Sequence, residues 1–114
     1  MPTYVLLSTL TPEGQQTLQR NPDRLEEVNK EIAEFGCKVL SQYAVLGAYD
    51  FVTILEAPDN ESVADLSIGL SSRGIVKIMS LPAIPTQRLR ERLKTPKQLG
   101  RTGGTPSTRR PSTR

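Results

Sequence analysis

The fold is decided by one stretch, Tyr43-Ala44-Val45-Leu46-Gly47-Ala48-Tyr49-Asp50-Phe51-Val52, in which two apolar runs meet at a glycine. A glycine as the first of two loop residues is typical of a type II′ turn, which joins two antiparallel strands. Gly47 and Ala48 are therefore predicted to connect the strands directly, and Gly47 has a structural role because the turn requires a positive φ. The predicted partners are Leu46 with Tyr49, Val45 with Asp50, Ala44 with Phe51, Tyr43 with Val52 and Leu40 with Leu55.

Signals on either side of this hairpin complete a six-element pattern. Thr11-Pro12-Glu13 and Asn21-Pro22-Asp23 each combine a capping residue, a proline and an acid, so the first helical segment is expected in two pieces. We expect strands over residues 3–9, 37–46, 49–56 and 75–81, and helices over residues 12–18, 22–35 and about 60–72. This βαββαβ order predicts an α+β fold, the ferredoxin-like plait, with a four-stranded antiparallel sheet and two helices on one face.

Large apolar side chains point to both faces of the predicted sheet. Neighbouring residues within a strand are both apolar, as in Leu6-Leu7 and Ile54-Leu55. Two helices cover only one face, and an exposed apolar sheet favours association with a second copy. We therefore expect a sheet-mediated homo-oligomer, a dimer or larger.

Charge divides the chain near residue 87. Six basic and eleven acidic residues precede Arg88, a net charge of −5, whereas nine basic residues and one acidic residue follow from there, a net charge of +8. The sequence thus predicts a folded domain over residues 1–86 and a basic tail over residues 87–114. We expect the tail to begin with a helix over residues 87–94 and to be largely disordered after Pro96, where Gly, Pro, Ser and Thr dominate.

Composition also bears on the compartment. Cys37 is the only cysteine, so the chain has no internal disulfide and a reducing compartment is the simplest setting. The first residues have no basic segment or cleavage site typical of a signal peptide, and no apolar run approaches the length of a membrane span. We expect a cytoplasmic protein with no membrane partner.

The stretch from Leu40 to Pro58, which contains the hairpin, resembles the GYD domain family, which is named for its Gly-x-Tyr-Asp motif. Here the motif residues are Gly47, Tyr49 and Asp50, and the resemblance covers roughly residues 2–85, leaving the basic tail outside. It implies a fold of the dimeric α/β barrel type and leaves the activity open. A more distant resemblance connects the same three residues to the effector domain of Lrp/AsnC-type regulators, where the hairpin region contributes to subunit contacts and small-molecule binding. These residues show no helix-turn-helix pattern of the kind that those regulators carry at their N-terminus, so direct action as a transcription factor is not expected.

The sequence offers little catalytic chemistry. It contains no histidine and no tryptophan, so a Ser-His-Asp or Cys-His relay and the common histidine-based metal and haem sites are excluded within this chain. No glycine-rich phosphate loop follows a strand. We expect no cofactor and no metal, and enzyme function is disfavoured.

Three residues of the hairpin are the candidates for ligand binding, namely Tyr43, Tyr49 and Asp50. The predicted register places Tyr43 and Tyr49 on opposite faces, and Asp50 on the face of Tyr43 and Val52. A carboxylate there needs partners. The favoured interpretation is structural, with Asp50 accepting backbone amides or pairing with an arginine; the alternative is a ligand-facing or acid/base carboxylate.

The basic tail is a second candidate site. Its cations could bind an acidic protein surface or a phosphate-rich partner, but no aromatic side chain is interleaved for stacking on bases, so sequence-specific nucleic-acid recognition is not expected. These cations are Arg88, Arg90, Arg92, Lys94, Lys97, Arg101, Arg109 and Arg110.

Three functions compete on these grounds. The leading hypothesis is a small oligomeric accessory or regulatory module that binds a ligand or protein partner at a subunit interface near Asp50. The second is a minor dimeric-barrel enzyme that uses Asp50 and Tyr43 as acid/base groups in a cavity between helices and sheet. The third is nonspecific nucleic-acid binding through the tail.

Overall fold

The computed structural model describes residues 1–95. Its elements are the strands β1 (Thr3–Leu10), β2 (Lys38–Ala44), β3 (Phe51–Glu56) and β4 (Val76–Ala83), and the helices α1 (Pro12–Arg20), α2 (Arg24–Glu34), α3 (Asn60–Ser71) and α4 (Thr86–Lys94). The predictions for the tail beyond residue 95, which include its disorder, lie outside the described residues.

The four strands form one sheet in the order β2-β3-β1-β4, with all pairs antiparallel. The core lies between one face of this sheet and the helices, where Leu6, Leu55 and Leu66 are completely buried. Ile32 of α2 and Val63 of α3 belong to the same buried cluster, so both helices cover the same face. The predicted ferredoxin-like plait is confirmed.

Local capping signals place the starts of α1 and α3 correctly. The predicted start of the second helical piece at residue 22 is wrong, because α2 begins at Arg24 and its N-cap residue Asp23 makes no side-chain capping hydrogen bond. Thr11 caps α1, because its hydroxyl accepts a hydrogen bond from the backbone N–H of Gly14. Asp59 caps α3 through the backbone N–H of Ser62. The first helical segment is interrupted between Arg20 and Arg24, as the second proline signal predicts.

The hairpin differs from its prediction. β2 ends at Ala44 and β3 begins at Phe51, so the strands stop short of the expected two-residue turn. The pairs Ala44 with Phe51 and Tyr43 with Val52 are as predicted. The pairing of Leu40 with Leu55 is wrong, because an irregularity between Val39 and Ser41 shifts the register and brings Val39 opposite Leu55.

β4 ends two residues beyond its prediction, passing through Pro82 to Ala83, and begins one residue later, at Val76. Pro82 pairs with Tyr4 of β1. β4 is an edge strand, and a proline is tolerated there because no further strand needs its missing N–H.

The chain divides into two compact units. Met1–Ile84 contains the whole sheet and the helices α1 to α3, and a second unit begins at Pro85 and contains α4. No helix within residues 1–95 is long and apolar enough to cross a lipid bilayer.

Candidate functional site

The face of the sheet opposite the helices is apolar, and we call it the open face. Side chains alternate between the two faces of a strand, so Leu7, which follows the buried Leu6, points away from the helices. Its partners on the neighbouring strands are Val52 and Met79. The same alternation and pairing assign to the middle of this face the apolar residues Val5, Leu7, Tyr43, Val52, Ile54, Met79 and Leu81. They also place Ser41 beside these residues and the polar or charged Thr9, Lys77 and Glu56 towards the ends of the strands.

This open face is accessible in the single chain. Tyr43 is 59% exposed and Met79 is 49% exposed, and the side chains nearer the middle of the sheet are half-buried. These aromatic and aliphatic side chains are the types that stabilise an interface when a partner removes them from water.

The loop over residues 45–50 closes one end of the open face. Its base is fixed by the backbone N–H of Val45, which donates to the carbonyl of Asp50 at 2.9 Å. Leu46, predicted to lie in a strand, is fully exposed at the tip. Gly47 has φ of 114°, which confirms the predicted positive φ.

Asp50 connects this loop to β1. Its backbone N–H donates to the carbonyl of Ser8 at 2.8 Å, and its carboxylate accepts the backbone N–H of Leu10 at 2.8 Å. The carboxylate thus continues the ladder between β1 and β3 by one further hydrogen bond. The structural interpretation of Asp50 expected its carboxylate to accept a backbone N–H, and the N–H of Leu10 is such a donor.

The two tyrosines lie on the same face, so their predicted placement on opposite faces is wrong. The hydroxyl of Tyr49 donates to Sδ of Met79 at 3.7 Å, and Met79 shares the open face with Tyr43. The sequence prediction failed because it continued strand alternation through Tyr49, whereas β3 begins only at Phe51.

A cavity of about 70 Å³ lies between the helices α1 and α2 and the sheet. Its lining is mainly apolar, and its polar members are Ser8, Thr17, Arg24, Gln42 and Thr53. The side-chain amide of Gln42 donates to the hydroxyl of Thr53 and accepts a hydrogen bond from the side-chain amide of Asn29. These three polar side chains therefore form one hydrogen-bonded chain. Neither Tyr43 nor Asp50, the acid/base pair of the enzyme hypothesis, lines this cavity.

Other reactive groups are held in structural positions. Cys37 is buried, and burial, with a smaller contribution from the negative charge of Asp59, raises the pKa of its thiol. A raised pKa lowers the thiolate fraction and hence the reactivity of the thiol. Among residues 1–95, no group of three or more Cys, Asp or Glu side chains is arranged to hold a metal ion.

The described part of the basic tail is helical. Arg88, Arg90, Arg92 and Lys94 lie on α4, and no residue of that helix is buried. The other predicted tail cations, Lys97, Arg101, Arg109 and Arg110, lie outside the described residues.

The comparisons with known proteins identify the family. The family model described as the GYD domain matches residues 4–93. The match extends beyond the predicted resemblance and includes α4 up to Leu93, so the first part of the basic segment belongs to the family's common region.

Two similar proteins come from Thermus thermophilus. The glutamine synthetase and cystathionine beta-lyase binding protein is 54% identical over 95 residues, which cover 82% of this chain and the full length of the relative. The crystal structure of TTHA0845 is 25% identical with a TM-score of 0.48, and the similarity covers 75% of this chain and 95% of that one. On the family match and the extent of the first relative's identity, this chain belongs to the GYD domain family.

Proposed function

We propose that this protein is a small accessory protein that binds a glutamine synthetase and a cystathionine β-lyase in the cytoplasm and regulates them. The observation that carries the proposal is the 54% identity to a protein named for binding those two enzymes, over that protein's full length. A binding role also suits a molecule whose cavity is lined by neither of the predicted acid/base groups, Asp50 and Tyr43.

Self-association through the open face is part of the proposal. The middle of the open face is apolar, and a second copy offers a surface of the same shape and composition. Such a contact would be isologous, with the same residues contributed by both subunits. It would also remove Tyr43 and Met79 from water.

A small ligand at this interface belongs to the same proposal. Tyr49 and Asp50 lie where the loop meets β1 and β4, at the end of the open face. Two copies joined through their open faces would bring hydroxyl groups, thioether sulfur and carboxylate together at such a position.

The test is direct binding between purified proteins. The untagged chain is titrated with glutamine synthetase and with cystathionine β-lyase from its own host, and the complexes are measured by sedimentation velocity. Saturable binding to at least one enzyme, without binding to an unrelated enzyme of similar net charge, is expected. Binding to neither enzyme would contradict the proposal.

Native mass spectrometry of the same preparation tests the ligand. We expect a dimer or larger assembly that carries a small molecule, and loss of that molecule in Asp50→Ala. An oligomer without any bound molecule would refute the proposed ligand binding. The proposed enzyme binding would still be decided by the titration.

A further inference from the structure

A groove runs along one edge of the sheet, between α3 and β4. It has a volume of about 380 Å³, and its lining includes Ala64, Ser67 and Ile68 of α3 and Ser80 and Pro82 of β4. It lies on the helical side of the sheet, so it is separate from the open face. Nothing in the function proposed above uses it.

The polar groups in this groove are already bonded in pairs. The hydroxyls of Ser67 and Ser80 share a hydrogen bond of 2.7 Å, and the hydroxyl of Tyr4 donates to the side-chain oxygen of Asn60 at 2.5 Å. The rest of the lining is apolar and includes Ile68, which is 70% exposed. A groove whose polar groups satisfy one another favours an aliphatic side chain as its occupant.

The backbone of β4 offers hydrogen-bonding groups beside the groove. Within residues 1–95, β4 has a neighbouring strand on one side only. The N–H of Thr11 donates to the carbonyl of Ile75 at 2.9 Å, in the same register as the pairs between β1 and β4. In an antiparallel ladder the N–H and C=O of one residue point to the same side, and successive residues alternate. Every second residue after Ile75 therefore bonds to β1, whereas Ile78 and Ser80 direct their backbone groups to the free edge.

A row of free backbone donors and acceptors next to an apolar groove suits an extended peptide. Peptides that add a strand to a sheet edge bond through their backbone and place alternate side chains in pockets. Ser80 supplies one donor and one acceptor, and its side chain lies in the groove. A peptide residue paired with Ser80 places its own side chain on the same side of the sheet, which is the side of the groove.

Carboxylates at the outer rim of the groove add a requirement for charge. Glu61 and Asp65 are exposed and lie one turn apart on α3, next to Ala64 and Ile68 at helical spacing. Neither carboxylate forms an ion pair with any of residues 1–95. Side chains two residues apart in a strand lie on the same side, about 6.6 Å from each other. A cation two residues from the side chain in the groove is therefore well placed for these carboxylates.

We propose that the groove between α3 and β4 binds an extended peptide of another protein, which adds to the sheet beside β4. The peptide places an aliphatic side chain in the groove and a Lys or Arg two residues away beside Glu61 and Asp65. The β4 strand of a second copy is a poorer match, because its residues on the helical side, Val76, Ile78 and Ser80, include no cation.

The first experiment titrates a synthetic peptide, Thr-Lys-Thr-Leu-Thr-Lys-Thr labelled with fluorescein, with the full chain and measures fluorescence anisotropy. Saturable binding is expected. Replacing both lysines by glutamate, or the leucine by serine, should weaken binding about tenfold or more. No saturable binding, or equal affinity of the three peptides, would overturn the inference.

Methylation of the peptide backbone tests strand addition. The leucine that enters the groove directs its N–H to β4, whereas the threonine before it directs its N–H away. N-methylation of the leucine should weaken binding about tenfold or more, and N-methylation of that threonine should have a smaller effect. Equal effects of the two methyl groups would contradict strand addition.

A matched pair of variants tests the same hydrogen bond from the protein side. Ser80→Pro removes the N–H that points to the free edge, and Ser80→Ala is the control because both variants lose the bond to Ser67. The bonds to β1 use other residues, so both variants should fold, which circular dichroism checks. Ser80→Pro should bind the peptide about tenfold or more weakly than Ser80→Ala. Equal affinities would show that this N–H makes no bond to the peptide.

Two double variants with the same change in charge test the rim. Glu61→Gln with Asp65→Asn should weaken peptide binding severalfold, and the loss should shrink as salt screens the charges. Glu26→Gln with Glu34→Gln on α2, which contacts β2 at the other edge of the sheet, should have a smaller effect. Equal effects would overturn the pairing of charges at the rim.

Other occupants of the groove give different results. If Ser80→Pro lowers the native mass of the protein relative to Ser80→Ala and the peptide does not bind, a second copy occupies the edge and the inference is wrong. It is also wrong if free leucine displaces the labelled peptide as effectively as the unlabelled peptide does, because the groove is then a small-molecule site.

Discussion

At the scale of single residues, Asp50 shows how one side chain fixes the end of a hairpin. Its backbone and its carboxylate both bond to β1, a strand forty residues away in the sequence. A carboxylate that accepts a backbone N–H satisfies a donor that would otherwise lack a partner at the end of a ladder. The position therefore depends on tertiary contacts more than on the hairpin itself.

We predict that Asp50→Ala lowers the free energy of unfolding by about 1–3 kcal/mol, because the N–H of Leu10 loses its acceptor. Asp50→Asn retains an acceptor oxygen and should cost less. Urea denaturation of both variants measures the difference, with Glu61→Ala on the exposed first turn of α3 as the control. A stability of Asp50→Ala equal to that of the wild type would show that the hydrogen bond contributes nothing.

At the scale of elements, α1 is held against the segment before β4 by close backbone contact. The backbone N–H of Thr11 donates to the carbonyl of Ile75 at 2.9 Å. A Cβ atom on Gly14 would lie 2.1 Å from that same carbonyl oxygen. The absence of a side chain at Gly14 is therefore what permits this approach.

Gly14→Ala should lower the free energy of unfolding by about 1–3 kcal/mol, since either α1 or the backbone at Ile75 must move. The matched variant is Gly69→Ala in α3, where the nearest atom is the end of the Phe35 side chain at 2.9 Å. Both substitutions gain the same helix propensity, so their difference in thermal or urea stability isolates the packing effect. Equal stabilities would show that the contact at Ile75 relaxes freely.

The cap of α3 makes part of the stability dependent on pH. The hydroxyl of Ser62 donates to the carboxylate of Asp59 at 2.7 Å, and its backbone N–H donates at 2.8 Å. The bond from the Ser62 hydroxyl is the larger cause and the bond from the backbone N–H is the smaller one, and together they hold the pKa of Asp59 below its ordinary value. The resulting stability is complete above the unfolded pKa of about 3.9 and is lost as the pH falls through the lower folded value.

We therefore expect the stability difference between the wild type and Asp59→Asn to shrink on acidification from about pH 5 to about pH 3. Asparagine is also a good cap, so the comparison isolates the ionised carboxylate. Urea midpoints at several pH values give the measurement. Ser62→Ala, which keeps the carboxylate and removes the main donor, should show a smaller dependence on acid, and a difference independent of pH would contradict the explanation.

At the scale of the whole molecule, the apolar residues are divided between two faces of one sheet. The helices bury one face in the core, where Leu6 and Leu55 are completely inaccessible. The open face has no covering element among residues 1–84. A stable interface buries about 800 Å² per partner, and a four-stranded sheet face with aromatic and aliphatic side chains is suited to that role.

We predict that Met79→Lys combined with Leu81→Lys weakens self-association at least about tenfold, because each subunit would place two cations in an apolar interface. Both side chains are exposed in the single chain, so the variant should fold. Sedimentation equilibrium measures the association, with Ile68→Lys on the helical side as the control. A wild-type protein that is monomeric at all concentrations would refute self-association through the open face.

The sequence by itself determined the element order, the starts of α1 and α3 and the buried side of α3. These features depend on local chemistry: Thr11 and Asp59 bond to backbone groups three residues away, and Val63, Leu66 and Leu70 follow the period of one helix. The family resemblance was visible for the same reason, because its motif lies in one short stretch.

Only the tertiary structure decided where the hairpin strands end, which face receives Tyr49 and how far β4 extends. Asp50 bonds to Ser8 and Leu10, Tyr49 to Met79, and Pro82 pairs with Tyr4. Each of these partners lies at least thirty residues away along the chain, so no local pattern records the contact. These long-range contacts, and not the turn preference of Gly47-Ala48, set the geometry of the hairpin end. The motif itself lies in one short stretch, so it could be recognised before its geometry was known.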